Sequence, residues 1–70
     1  MEATSIAKDK ISVSFSPEEL AFLSSAINEA LEAVEDWEFQ SRTGETRKRA
    51  MEIHADIQKM LDELNRQQQH

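Results

Sequence analysis

The sequence predicts a mainly α fold: two antiparallel amphipathic helices with a short N-terminal β-strand, assembled as a dimer. Three observations predict it. Two long stretches repeat apolar residues at spacings of three and four, the period of a helix with one buried face. Between residues 10 and 16, "KISVSFS" alternates apolar and polar side chains, the period of a half-buried strand. The chain has 70 residues, and a domain of that size buries only about 60% of its unfolded surface, which makes association a common remedy.

The elements follow in order. Residues 1–9 are polar and without pattern, and are expected to form a flexible N-terminal arm ahead of a single helical domain over residues 10–65. Ile11, Val13 and Phe15 define the strand over 10–16. A lone strand needs a partner, either a second strand in the chain or its own copy in another chain. Helix one spans 17–35. Ser16 is a good N-cap, Pro17 suits the first helical position, and Glu19 completes a capping box with Ser16. Leu20, Leu23, Ile27, Ala30, Leu31 and Val34 make its apolar stripe, while Glu29, Glu32, Glu35 and Asp36 fall largely on the other face. Helix two spans 44–65, with Ser41 or Thr43 as cap and Ala50, Ile53, Ile57, Met60, Leu61 and Leu64 as stripe. Residues 66–70, "RQQQH", form a disordered tail.

The connection, residues 36–43, reverses the chain. Trp37 and Phe39 alternate with Glu38 and Gln40, so "WEFQS" reads either as a short second strand pairing with "ISVSF" or as aromatic plugs on the open end of the helix pair. Either way Trp37 is expected to be substantially buried. Arg42, Arg47, Lys48 and Arg49 cluster around the start of helix two, where cations oppose the helix dipole. The compensating anion is either the acidic surface of helix one, in the same chain or a partner, or a bound phosphate. The acidic surplus nearby favours ion pairs. Trp37, Phe39, Arg42, Arg47, Lys48 and Arg49 are the candidate interaction residues.

Composition narrows the function. The net charge is −6, from eight Lys and Arg against fourteen Asp and Glu. Residues 1–41 carry nine acids against Lys8 and Lys10, whereas residues 42–70 carry six bases against five acids. Such an acidic chain is repelled by the bulk field of nucleic acid and anionic membrane. No cysteine is present, so neither a disulfide nor a thiolate metal site exists. No apolar run approaches the roughly 20 residues of a membrane span, and "MEATSIAKDK" lacks the apolar core of a signal peptide. The expected location is the cytoplasm.

Catalytic chemistry finds little support. His54 and His70 are the only histidines, and His54 flanks the apolar stripe, where histidine is usually structural. Its neighbours at helical spacing are Ala50, Met51, Ile57 and Gln58, none a good carboxylate ligand. The single glycine excludes a glycine-rich phosphate loop. No catalytic residue, metal or cofactor is expected.

Two resemblances bear on this reading. "LSSAINEAL" followed by "WEFQSRTGETRKRA" is similar to a set of small uncharacterised bacterial helical-hairpin proteins with a Glu-Phe-x-x-Arg-x-Gly connection. Asn28, Glu29, Glu38, Phe39, Arg42 and Gly44 carry it. That likeness implies a structural unit with Phe39 buried, Gly44 at the turn and Arg42 tying the connection to a helix end or a carboxylate. It implies no activity. "KISVSFSPEEL" and "TGETRKRA" resemble the strand and second-helix start of the ribbon–helix–helix DNA-binding family. By position that likeness implies that Lys10, Ser12 and Ser14 read base edges, with the backbone at Glu45 and Thr46 against phosphate. The chain departs from that family in its longer first helix and connection and in the sign of its charge.

The function expected is that of a non-enzymatic, acidic helical protein acting through homodimerisation and binding to another protein, with a basic protein or peptide as the natural partner. The alternative is a ribbon–helix–helix-like transcriptional regulator or antitoxin on DNA.

Overall fold

A computed structural model describes residues 1–68. It is mainly helical, with a two-stranded antiparallel sheet: β1 (Glu2–Ile6), β2 (Ile11–Ser14), α1 (Pro17–Ala33), α2 (Asp36–Thr43) and α3 (Arg47–Gln67).

The partner of the expected strand is the segment expected to be a flexible arm. Glu2 pairs with Ser14, Ala3 with Val13, Ser5 with Ser12 and Ile6 with Ile11. Ala7 N–H closes the turn on Lys10 O at 2.8 Å. Residues directly opposite share a face, so Ala3, Ile6, Ile11 and Val13 line one side of this ribbon. The register slips between Ala3 and Ser5. That slip places Ala3 and Ile6, three apart in sequence, on the same side, which hides the period-two signal of β1.

The capping box of α1 forms as expected. Glu19 N–H donates to Ser16 Oγ at 3.1 Å, and Ser16 N–H donates to Glu19 Oε1 at 2.9 Å. The helix ends at Ala33, two residues short of expectation, because Val34 turns to extended backbone. The connection is a third helix, not a strand. In α2, Asp36 and Glu38 occupy the first turn and Arg42 the last, each matched to the local dipole. Arg42 Nη1 pairs with Glu38 Oε2 at 3.2 Å, four residues back. Gly44 ends α2 with φ 84°, its N–H donating to Gln40 O at 2.8 Å. Thr46, rather than Ser41 or Thr43, caps α3 by accepting from Arg49 N–H at 3.1 Å. The helix runs on to Gln67, so the expected tail begins as helix, with Arg66 paired to Glu63 at 2.7 Å. The rest of that tail lies outside the described residues, apart from Gln68, which caps α3.

The core is thin. Among the described residues Phe39, 2% exposed, and Ile57 are the only buried hydrophobic side chains. Leu23, Ile27, Leu31, Ile53, Leu61 and Leu64 are only half-buried. α1 packs on α3, α2 touches α3, and neither strand lies against a helix. Arg47 reaches Leu31 and Val34, while His54 and Gln58 reach Ser24, so the α3 numbering rises as the α1 numbering falls. The chain extends 44 × 33 × 16 Å. α1 and α3 make the one long helix seam, and Phe39 of α2 packs against one side of it.

Candidate functional site

The basic cluster resolves into separate roles. Arg47, the first residue of α3, donates from Nη1 to Leu31 O and from Nη2 to Val34 O. These are carbonyls at the end of α1, whose last turn has no basic residue of its own. The guanidinium thus sits at the negative end of one helix although its backbone starts another, and this offsets the dipole conflict seen in the sequence. The guanidinium carbon also lies 4.8 Å from the centroid of the Phe39 ring. Its Nε stands 2.5 Å from Asp36 Oδ1, with the N–H aimed elsewhere, so this contact is an ion pair without a hydrogen bond. Arg49 pairs with Glu52 at 3.2 Å, and Arg42 with Glu38. Lys48 is exposed and makes no ion pair among the described residues. The tie to a helix end that the resemblance gives to Arg42 is made by Arg47, and Arg42 holds a carboxylate.

Phe39 is buried, whereas Trp37 is 80% exposed. The expected burial of Trp37 fails because α2 is a helix. Residues two apart on a helix point to nearly opposite sides, so packing Phe39 inward turns Trp37 outward. A strand would have kept both rings on one face.

The residues carried over from the DNA-binding resemblance lie on the ribbon and at the turn between α2 and α3. Lys10 is in the turn, and Ser12 and Ser14 lie on the polar side of the ribbon opposite Ser5 and Glu2. Ser14 Oγ donates to Glu2 O at 3.4 Å. The backbone amides of Glu45 and Thr46 are taken by Thr43 Oγ1 at 3.2 Å and Glu45 Oε1 at 3.0 Å.

A polar network absent from the sequence reading lies between α1 and α3. Ser24, 4% exposed, is the one buried polar residue among those described. Gln58 Nε2 donates to Ser24 Oγ, which lies 3.2 Å from His54 Nε2. The Ser24 hydroxyl, an acceptor toward Gln58, keeps both its proton and a second lone pair for the His54 ring. The groove here has a volume of about 310 Å³ and is lined by Ser24, Ser25, Asn28, Glu29, His54 and Gln58. The network registers one helix against the other. Among the described residues no carboxylate is bonded to His54, so the pair lacks the orienting group of an activated nucleophile. The signal in the sequence was Ser24 itself, which interrupts the apolar stripe between Leu20 and Ile27.

The opposite side of the α1–α3 seam is apolar. A groove of about 120 Å³ runs between Ile27, Ala30, Phe39, Ala50 and Ile53, with Thr43 and Glu45 at its edge. Toward the start of α1, a hollow of about 350 Å³ is lined by Met1, Phe15, Phe22, Leu23, Glu18 and Glu19. The Met1 ammonium donates to Glu19 Oε1 at 2.7 Å and to Oε2 at 2.5 Å. The ammonium, aided by Ser16 N–H, holds the Glu19 carboxyl down at about 2.

Among the described residues no helix is long and apolar enough to cross a membrane, and no group of three or more acidic or histidine side chains is placed to hold a metal. No family model, no curated protein and no solved structure matches the chain.

Proposed function

We propose that the chain is a non-enzymatic interaction module that works as a homodimer and binds a basic protein or peptide in the cytoplasm. The observation that carries this reading is the thin core. A stable domain buries its apolar faces between two layers, and this chain has only Phe39 and Ile57 buried among its described hydrophobic side chains. The accessible surface is 5817 Å², against about 4,500 Å² for a compact monomer of 8.0 kDa. The radius of gyration is 14.1 Å, where roughly 11 Å fits a compact chain of this length.

The basic partner follows from charge. Helix α1 carries Glu18, Glu19, Glu29 and Glu32 and no lysine or arginine. Trp37 adds an exposed aromatic of the kind that anchors interfaces. Arg42 and Arg49 are engaged by acids of their own helices and Arg47 by the helix junction, which leaves Lys48 as the open cation of the cluster. The lack of any cysteine agrees with a reducing compartment.

Light scattering on a sizing column across a hundredfold dilution tests the dimer. The expected mass is twice 8.0 kDa. A monomer throughout overturns the reading. Duplex DNA binding at physiological salt, with sequence preference and a steep salt dependence, would replace it with the ribbon–helix–helix alternative.

A further inference from the structure

The two sides of the α1–α3 seam differ in chemistry, and that difference says which one a second copy covers. At about 100° per residue, Leu23, Ala30, Ile53 and Met60 turn to one side of the line through Ile27 and Ile57, while Ser24, Asn28, His54 and Gln58 turn to the other. The groove on the first side is lined by Ile27, Ala30, Ala50 and Ile53 with Phe39, Thr43 and Glu45, so α2 and the turn after it border one end of that side. The hollow of Met1, Phe15 and Phe22 shares Leu23 with that side and extends it toward the ribbon. Phe22 is 71% exposed and Met60 52%. The groove on the second side is lined by two hydroxyls, two amides, the His54 ring and Glu29. Covering it with protein would strip water from these groups with no apolar gain.

We propose that a second copy of the chain docks on the apolar side of the α1–α3 pair, over Leu23, Ile27, Ile53 and Met60, with Phe22 and Phe15 at the margin. The docking buries the part of the apolar side that α2 leaves open and leaves the Ser24–His54 groove facing outward. Area argues for this occupant. The chain as a whole exposes roughly 1,300 Å² more than a compact monomer of its mass, enough surface for the about 800 Å² that each partner gives to a standard interface. A face of this kind is also self-complementary, because the same apolar patch serves both copies across a two-fold axis. The inference rests on the homodimer reading and adds to it the seam.

Because the chain has no cysteine, single thiols report on each side cleanly. Met60→Cys and Ser25→Cys are made separately in the full chain. Their reaction with a small disulfide reagent is then timed at concentrations above and below the dimer midpoint found by light scattering. Both positions are exposed in the single chain. The expected result is that the Met60→Cys thiol reacts roughly tenfold more slowly in the dimer than in the diluted chain, while the Ser25→Cys thiol reacts equally fast in both. Met60→Glu is expected to give a helical monomer by light scattering and circular dichroism. A dimer in which the Met60→Cys thiol stays reactive, or the Ser25→Cys thiol becomes protected, overturns the seam and leaves the homodimer standing. A wild-type chain that is monomeric at every concentration overturns both.

Discussion

The guanidinium of Arg47 lies over the ring of Phe39, 4.8 Å from its centroid, and bonds the last carbonyls of α1 from the first position of α3. One side chain therefore touches all three helices. Phe39 is the most deeply buried side chain among those described.

Arg47→Ala should be the most damaging change in the basic cluster. It leaves Leu31 O and Val34 O without donors and removes the cation from the Phe39 ring. Each charged hydrogen bond is worth about 1.5–3 kcal/mol. The exposed Asp36 contact adds little. A loss of about 2–4 kcal/mol is expected in urea unfolding. Arg47→Lys should recover only part of it, because an ammonium cannot span two carbonyls as a planar fork does. Arg49→Ala should cost less than about 1 kcal/mol, and equal losses for the two variants would refute the junction role.

Trp37 emission should lie near that of free indole and should be quenched readily by acrylamide at low concentration. Trp37→Ala should change the stability of the single chain by less than about 0.5 kcal/mol. A blue-shifted, protected tryptophan in the dilute monomer would contradict the outward placement. A blue shift that appears only on adding a basic partner would mark Trp37 as part of that contact.

Glu19 sets an acid limit. Its carboxyl is lowered from 4.5 to about 2 by the Met1 ammonium and the Ser16 backbone. A group depressed in the folded state stabilises it fully above the unfolded value and loses that effect as pH falls through the folded one. Stability should therefore decline between about pH 4.5 and 2 in the wild type. Glu19→Gln should be less stable at pH 7 and show a flatter decline over that window in thermal unfolding. Parallel pH profiles would show the carboxylate to be idle.

Gly44→Ala should cost about 1–2 kcal/mol, the penalty of left-handed backbone for a side chain with a Cβ. Nothing lies within 4 Å of where that Cβ would sit, so the loss is one of backbone conformation alone. Gly44→Asn should cost less, since Asn tolerates that region. Differential scanning calorimetry separates the two, and an Ala variant as stable as wild type would argue against the left-handed cap.

The parts legible in the sequence were those written in a few adjacent residues. The Ser16–Glu19 box, the start of α1 and the apolar stripes of α1 and α3 follow local rules, and they stand where expected. Strand β1 was illegible because its register slip separates Ala3 from Ile6 by three residues. Helix α2 was mistaken for a strand because eight residues with one buried side chain cannot show a helical period, and Trp37 and Phe39 mimic alternation. The role of Arg47 was half legible. Its charge conflict with the α3 dipole was plain, but the carbonyls that answer it come from residues 31 and 34 and needed the turn geometry. The Ser24–His54 pair spans thirty residues, and neither residue announces the other.

The junction at Arg47 also bears on how the chain folds. Closing Leu31 against Arg47 loops only sixteen residues, while Ser24 against Gln58 loops thirty-four. Loop entropy grows with the logarithm of length, so the shorter closure comes first and each later contact along the seam adds a small further loop. Phe39 substitutions should then slow folding, while substitutions at Leu64 should mainly speed unfolding. The two long helices close from the α2 turn outward like a zip, and the ends farthest from Arg47 are the last to meet and the first to part.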